Sequence, residues 1–417
     1  MILRSSFLFF GIFVFLFFAF LANTGKFPSD DGVYLDLAIQ VKEGNYELTQ
    51  SPKNHRLGLI LPVVPVLSGV ENSPVLASWF PMLCGALTLF LLFILFKNQS
   101  RSGEIIPWIF IPAFLPLFFL YGGNLFPDVP LAFYLFFLFF LSLSPRVNEF
   151  PLRFGIYSGA LFVLAFLTKE LALIILPWYL FRWFKSEPGS QKKFFGLSLL
   201  FISIGFILTE LVFSFFSGTP GFLLSSVESE HNIFYKISRP GQFFSRILIQ
   251  PFQMIFDSYS LLLVFVPWTF LAIPNAFKKE NRSELLRNSV VFTLFLLAFL
   301  WIGSTSVFSY SPVPLLERMW IVLIPPMVLG IGISLADRND ISQLRKLLVL
   351  IFWIGLALVN LMLGEINKGA FYGLAGGCWA AYFFAPLPSF FPTYIRPAFF
   401  LLPFVVLSVY FLRTNYF

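Results

Sequence analysis

The chain has 417 residues, of which 58% are hydrophobic and only 12% are charged, with a mean hydropathy of +0.83. Soluble domains carry about twice this proportion of charged residues, so no solvated surface of adequate size remains to cover such an apolar composition. Composition therefore excludes a soluble enzyme, a secreted disulfide scaffold and a nucleic-acid-binding protein. The formal net charge of +7 is typical of basic loops that orient a membrane protein.

Apolar runs of about 18 to 20 residues recur along the whole chain, and each is long enough to cross a bilayer as a helix. The sequence therefore predicts an all-α, polytopic transmembrane helical bundle of about thirteen spans, forming a single integral membrane domain over residues 1–417. The expected spans lie at about 7–22, 74–96, 105–121, 129–144, 154–168, 170–184, 194–217, 258–277, 289–308, 319–336, 347–363, 369–385 and 397–412.

Two long segments between spans are expected outside the membrane: a first outer loop at 23–73 and a second long outer loop at 218–257. With the N-terminus inside, the inner loops carry more Lys and Arg than the outer segments, which favours a cytoplasmic N-terminus. We expect a multi-pass protein of a bacterial inner (cytoplasmic) membrane.

Two adjacent carboxylates, Asp30 and Asp31, lie just after the first span. A carboxylate there suits a general base for a substrate hydroxyl, and it equally suits a cap for the next short helix. The segment 32–44 interleaves apolar residues with polar ones, and it predicts a short interfacial helix along the outer surface. A base and a cap are compatible, because one Asp can cap the helix while the other reacts.

The same outer loop contains three basic or potentially basic residues in one turn, Lys53, His55 and Arg56. Such a turn at headgroup level suits a phosphate group. The alternative is that the long side chains reach the lipid headgroups without binding a substrate. The sequence leaves both interpretations open.

Three further charged positions adjoin apolar spans on the expected outer side, where a charge is a functional candidate. Asp128 begins the fourth span and suits either a substrate contact or the N-cap position. Lys169 adjoins Glu170 between two spans, so the two residues either neutralise each other or leave Lys169 as an anion ligand. Arg318 begins a late span and is another candidate anion ligand.

Metal and cofactor chemistry finds no support in the pattern of the sequence. Cys84 and Cys378 both lie inside apolar runs, and no Cys/His spacing typical of a metal site is present. Glycine-rich nucleotide-binding motifs and the common hydrolase motifs are also missing. We therefore expect no cofactor and no metal ligands.

Residues 30–38 read Asp-Asp-Gly-Val-Tyr-Leu-Asp-Leu-Ala. This segment resembles the Asp-Glu-x-x-Tyr-x-Glu-x-Ala loop of GT-C superfamily membrane glycosyltransferases, in particular the protein O-mannosyltransferases and the bacterial lipid A aminoarabinose transferases. In these enzymes the first-loop Asp is the proposed catalytic base. The resemblance assigns that role to Asp30 and aligns Asp31 with the following Glu. It also aligns Lys53 with a Lys that two prolines follow; those prolines are absent here, and Arg56 is an alternative.

Three later blocks resemble the same superfamily in the same order. Asp128 and the following 130–133, Pro-Leu-Ala-Phe, resemble the acidic start of its fourth span. Lys169 after a Thr resembles a recurrent Thr-Lys turn. Arg318, with two prolines at 325–326, resembles the entry to a late span.

The resemblance implies a membrane glycosyltransferase, hexosyl or pentosyl, with Asp30 as general base and inversion at the anomeric carbon. The sugar would move on the extracytoplasmic side from a polyprenyl-phosphate carrier to an acceptor hydroxyl. The implied partners are this donor, a lipid, glycan or protein acceptor, and membrane lipids, with no nucleic acid. Two alternatives remain open: a polytopic transporter or lipid flippase, which would place polar groups such as Glu210 at mid-bilayer depth, and a non-catalytic membrane subunit.

Overall fold

The fold is taken from a computed structural model, which describes residues 2–21, 30–49, 51–69, 73–97, 116–223, 264–278, 283–307 and 317–336. These residues form helices and contain no strand. The helices are α1 (Ile2–Leu21), α2 (Asp30–Glu43), α3 (Leu57–Ile60), α4 (Val64–Gly69), α5 (Pro74–Ala77), α6 (Trp79–Lys97), α7 (Pro116–Gly123), α8 (Asp128–Leu143), α9 (Pro151–Thr168), α10 (Leu176–Lys185), α11 (Ser190–Ser217), α12 (Val264–Ala276), α13 (Glu284–Val307) and α14 (Ile324–Ala336). Short 3-10 segments occur at Pro52–His55, Pro145–Val147, Glu170–Ile175 and Glu317–Leu323, and α12 contains a π-turn at Trp268–Ala272.

Three of the described helices are long and apolar enough to cross a membrane, at Trp79–Phe96, Pro151–Thr168 and Ser190–Ser217. The shorter helices α8, α12 and α14 are also apolar. The expected spans at 347–363, 369–385 and 397–412 lie outside the described residues. The helical class is confirmed within the described part of the chain, and the number of about thirteen spans stays a prediction.

Helix ends follow local signals in the sequence. Pro151 occupies the first turn of α9, where its missing N–H is not needed. Helix α9 ends at Thr168 because Lys169 has extended dihedrals (φ −163°, ψ 132°), so the turn expected between the fifth and sixth spans lies there. The expected sixth span begins as the 3-10 segment Glu170–Ile175, and it continues as α10 with Pro177 in its first turn.

Helices α9 and α11 lie parallel in close contact because small residues line one face of α9. A Cβ atom added at Gly155 would lie 2.9 Å from Cβ of Leu197, and one added at Gly159 would lie 2.7 Å from Cβ of Phe201. Close helix packing of this kind is characteristic of membrane proteins, where small residues allow backbones to approach. The ends of α9 and α11 therefore lie at the same end of the bundle.

Aromatic side chains fill the contact between α8, α10 and α13. The rings of Phe139 and Phe292 stack with centroids 4.4 Å apart, and the ring of Trp178 lies 5.3 Å from that of Phe292. The indole nitrogen of Trp178 donates a hydrogen bond to Ser142 Oγ at 3.3 Å. This core packs the last turns of α8 against α10 and α13.

Helix α2 confirms the short helix expected over 32–44, with its observed start two residues earlier, at Asp30. It ends at Gly44, whose φ of +74° lies in the left-handed region that glycine adopts without strain. Helix α2 packs against α3 and α4, which belong to the same outer loop. Helices α2, α3 and α4 thus pack together, and α3 also packs against α9.

Candidate functional site

Charged side chains from distant parts of the sequence meet where α8 begins and where α9 and α11 end, which we call the charged end. Lys169 Nζ donates a hydrogen bond to Asp128 Oδ1 at 2.5 Å. The two side chains are 2% and 1% exposed, so this is a fully buried ion pair. It links the start of α8 to the end of α9.

The expected N-cap role of Asp128 is wrong in this structure. Pro127 occupies the N-cap position, Asp128 is the first helical residue, and no side-chain cap hydrogen bond forms. The carboxylate pairs with Lys169 instead. Its second oxygen, Oδ2, is buried and has no hydrogen-bond partner among the described residues. One carboxylate oxygen therefore bridges two helices, and the other remains an acceptor.

A second ion pair lies beside the first. Arg56 Nη2 donates to Glu170 Oε1 at 3.0 Å and to Oε2 at 3.3 Å. Arg56 Nη1 donates to the hydroxyl of Tyr34, and its guanidinium carbon lies 5.7 Å from the centre of the Tyr34 ring. Arg56 is 5% exposed and Tyr34 is fully buried. This contact set links α2 to the segment that follows α9.

The two pairs resolve the alternative left open for Lys169 and Glu170. The extended backbone at Lys169 directs successive side chains to opposite sides. Lys169 pairs with Asp128 and Glu170 pairs with Arg56, so mutual neutralisation of the two neighbours is wrong. The adjacent residues instead connect the bundle core to the outer loop.

His55 lies in the same turn as Arg56 and is also buried. Its Nε2 donates to the carbonyl oxygen of Thr49 at 2.8 Å, and its ring packs against Phe222 (4.8 Å) and Phe213 (5.6 Å). Burial lowers the pKa of His55, and the hydrogen bond to Thr49 and the nearby carboxylate of Glu170 oppose that shift. Lys53, one turn earlier, is half-buried.

The turn that carries these residues contacts the end of α9 through Gly58. A Cβ atom added at Gly58 would lie 2.8 Å from the backbone nitrogen of Thr168 and 2.9 Å from the carbonyl oxygen of Leu164. Only glycine permits this distance between α3 and α9. The position of Arg56, two residues earlier, therefore depends on a backbone-to-backbone contact.

Asp30 and Asp31 are the first two residues of α2. Asp30 precedes Tyr34 by four residues, so the two positions share one helix face about one turn, or roughly 6 Å, apart. Arg318 is the second residue of the 3-10 segment Glu317–Leu323, which packs against α8. The side chains of Asp30, Asp31 and Arg318 lie outside the described part of the structure, as does most of the loop at 218–257.

Tyr34 and Glu210 also belong to the charged end, although the sequence analysis did not select them as site residues. Tyr34 is a matched position of the first-loop motif, and that match was the available signal. Glu210 accepts hydrogen bonds from Ser214 Oγ (3.0 Å) and from the backbone N–H of Leu223 (3.2 Å), and it lies near enough to His55 to interact electrostatically. Its neighbours place it at the charged end.

No protein-family model matches this chain, and no curated protein matches it. Two solved structures overlap with it, both of the oligosaccharyltransferase of Archaeoglobus fulgidus. One is this enzyme, AglB, with an inhibitory peptide and a dolichol-phosphate (TM-score 0.45, 12% identity, 97% of this chain and 55% of that chain). The other carries a disulfide-tethered acceptor peptide with an NVT sequon (TM-score 0.46, 12% identity, 97% and 54%). This chain thus spans about half the length of those chains. The TM-scores describe only how far the backbones superpose.

Proposed function

We propose that this chain is a membrane glycosyltransferase of the GT-C type, with a polyprenyl-phosphate sugar as donor and an acceptor hydroxyl on a lipid, glycan or protein. The observation that carries the proposal is the meeting of four distant segments at the charged end. These segments are the start of α2, the turn around Arg56, the start of α8 and the residues that follow α9.

The start of α2 supports the assignment of a base to the first outer loop. Tyr34 contacts Arg56, and Arg56 contacts Glu170, so the helix that begins at Asp30 is held against the bundle. Asp30 lies one helical turn from Tyr34, on the same face. A base has to be positioned within hydrogen-bond reach of the proton it removes, and this contact set positions the helix that carries Asp30.

In the proposed reaction, Asp30 takes the proton from the acceptor hydroxyl. The acceptor oxygen forms a bond to the anomeric carbon from the face opposite the phosphate, and the bond from that carbon to the phosphate oxygen breaks. The electron pair of the broken bond leaves on the polyprenyl phosphate, so the configuration inverts. Asp31 orients Asp30, and Asp128 Oδ2 is available to accept a hydrogen bond from a sugar hydroxyl.

Two of the candidate basic residues, Arg56 and Lys169, form ion pairs with carboxylates. Glu170 offsets the charge of Arg56, and Asp128 offsets the charge of Lys169, which favours a positioning role for both cations. Following the resemblance of their positions to the superfamily's blocks, we assign the donor phosphate to Lys53 and Arg318, whose positive charge would offset the charge that develops on the leaving group.

The test uses purified full-length protein in nanodiscs with a panel of radiolabelled polyprenyl-phosphate sugars. We expect release of polyprenyl phosphate by the wild type. Because general-base catalysis contributes about 10² to 10⁴ in rate, Asp30→Asn should lower the rate by that factor. The matched control is Glu43→Gln, an exposed carboxylate of the same helix outside the first-loop motif, which should retain the wild-type rate.

Three results would contradict the proposal. Transfer at the wild-type rate by Asp30→Asn, with an unchanged unfolding temperature, removes the base assignment. Movement of the label across a vesicle membrane without cleavage identifies a transporter or flippase instead. A chain that neither cleaves nor moves any donor of the panel is a non-catalytic subunit.

A further inference from the structure

The end of the bundle opposite the charged end contains a buried arginine. Arg182 lies in the last turn of α10, is 8% exposed, and has its guanidinium 5.5 Å from the ring centres of both Trp178 and Phe195. Its Nη1 donates to Asn288 Oδ1 at 2.8 Å. Among the described residues, no carboxylate lies within ion-pair distance of Arg182, and its Nε is buried without a hydrogen-bond partner.

The residues around Arg182 are mainly basic. Lys185 ends α10, Lys192 and Lys193 lie in the first turn of α11, and Arg287 lies in the first turn of α13. Glu284 lies near enough to interact electrostatically with Arg182, and it also accepts a hydrogen bond from Asn288 Nδ2 at 3.4 Å. We call this group, from Arg182 to Arg287, the basic cluster.

Apolar side chains next to the basic cluster face outward from the bundle. Phe184 is 73% exposed, Leu200 is 52% exposed and Leu180 is 42% exposed. Lys192 Nζ lies 5.8 Å from the centre of the Trp183 ring. A positive cluster beside an outward-facing apolar surface and a half-buried Trp matches an amphipathic ligand, with a charged head and hydrocarbon chains, better than a free anion.

We propose that the basic cluster binds the phosphate headgroup of an anionic phospholipid, with the acyl chains along the outward faces of α10 and α11. The headgroup phosphate supplies the anionic partner that the described residues do not provide for Arg182. Guanidinium–phosphate contact is a strong, geometrically specific interaction. This proposal concerns a different end of the molecule from the glycosyltransferase site, so either can fail without the other.

The test measures thermal unfolding of delipidated full-length protein in neutral detergent, with phosphatidylglycerol or phosphatidylcholine added. Phosphatidylglycerol should raise the unfolding temperature in a saturable way, and phosphatidylcholine should not. The variant Lys185→Gln/Lys193→Gln changes two exposed side chains. It should weaken the apparent affinity for phosphatidylglycerol by about twenty-five-fold, since each lysine near a membrane surface contributes roughly fivefold.

The matched control is Arg146→Gln/Arg153→Gln, which removes the same charge from exposed residues where α8 ends and α9 begins. This variant should bind phosphatidylglycerol as the wild type does. Equal stabilisation by both lipids, or an equal loss of affinity in the control, would overturn the proposal. Inorganic phosphate or glycerol phosphate giving the same temperature shift as phosphatidylglycerol would also overturn it, because the site would then select a free anion.

Discussion

The two ends of the helical bundle use buried positive charge in different ways. At the charged end, Arg56 and Lys169 each contact a carboxylate from another part of the chain. At the other end, Arg182 contacts a neutral amide and two aromatic rings, with no carboxylate of the described residues in ion-pair distance. At the charged end, carboxylates of the protein neutralise both cations. At the other end, the positive charge of Arg182 is left for the proposed lipid headgroup.

This difference indicates what each end does. Paired charges in an apolar surrounding fix the relative position of the segments that carry them. Separating the two charges would leave each one buried without a partner, which is energetically costly. The pairs at the charged end join the turn around Arg56 to the residues after α9, and those residues to the start of α8. Arg182 joins α10 to α13 through a hydrogen bond to the neutral side chain of Asn288. The comparison therefore predicts unequal losses when each cation is removed.

The largest effect is expected from Lys169→Met. This change leaves the carboxylate of Asp128 buried without its partner, which costs about 3–5 kcal/mol of unfolding free energy. Arg182→Met leaves only the neutral side chain of Asn288 unsatisfied, at a cost of about 1–3 kcal/mol. Thermal and denaturant unfolding of both variants in the same detergent measures the two losses.

A double variant separates the charge from the packing. Asp128→Leu/Lys169→Met replaces the ion pair by apolar groups of similar volume, so it should recover most of the stability lost by Lys169→Met. Equal losses for Lys169→Met and Arg182→Met would contradict the distinction between the two ends.

A smaller effect is expected from Gly58→Ala. The added methyl group meets backbone atoms of Thr168 and Leu164, which cannot rotate away, so the turn carrying Arg56 must shift from α9. Overpacking of this kind costs about 1–3 kcal/mol. The shift should also lower glycosyl transfer, and an unfolding curve together with the transfer assay measures both.

Gly196→Ala in α11 is the control at the opposite end. A Cβ atom there would lie 3.3 Å from the Trp183 indole nitrogen, which belongs to a side chain able to adjust. Alanine in a helix interior is favoured over glycine by roughly 0.5–1 kcal/mol, so stability should hold or rise. Gly58→Ala with unchanged stability and transfer would show that α3 does not depend on the close contact with α9.

The sequence predicted the helical class and the interfacial helix after the first span, because apolar run length and helix signals are local properties. It did not predict the break at Ser78 between α5 and α6, within the expected span at 74–96. The span was predicted from its apolar composition alone. A local turn such as the one at Ser78 leaves that composition unchanged, so the prediction could not detect it.

The site was predicted as a set of residues but not as a set of contacts. Asp128 and Lys169 were selected as charges beside apolar spans and Arg56 as part of a basic turn in the first outer loop, and the structure brings all three to one end of the bundle. The crossed pairing was not predictable, since Lys169 and Glu170 are neighbours in sequence and their partners lie 41 and 114 residues away. Which side chain faces which is decided by the extended backbone at Lys169 and by helix packing.

The smallest effect is expected from the titration of His55 at the charged end. Burial holds the pKa of His55 below its usual value of 6.5, so the folded protein binds this proton less readily than the unfolded chain does. Stability is therefore unaffected above about pH 7 and declines as the pH falls below 6.5, through the range where only the unfolded chain is protonated. The slope is at most that of one proton, about 1.4 kcal/mol per pH unit.

Unfolding of the wild type and of His55→Gln at a series of pH values between 8 and 5 measures this contribution. We expect the decline below pH 6.5 to be shallower in His55→Gln, because glutamine does not titrate. The matched control is Asn148→Gln, which changes an exposed amide that does not titrate and should keep the wild-type profile. Should His55→Gln also keep that profile, the Phe213 and Phe222 rings would not enclose a titrating imidazole, and the turn from Lys53 to Arg56 would be more open than its contacts indicate.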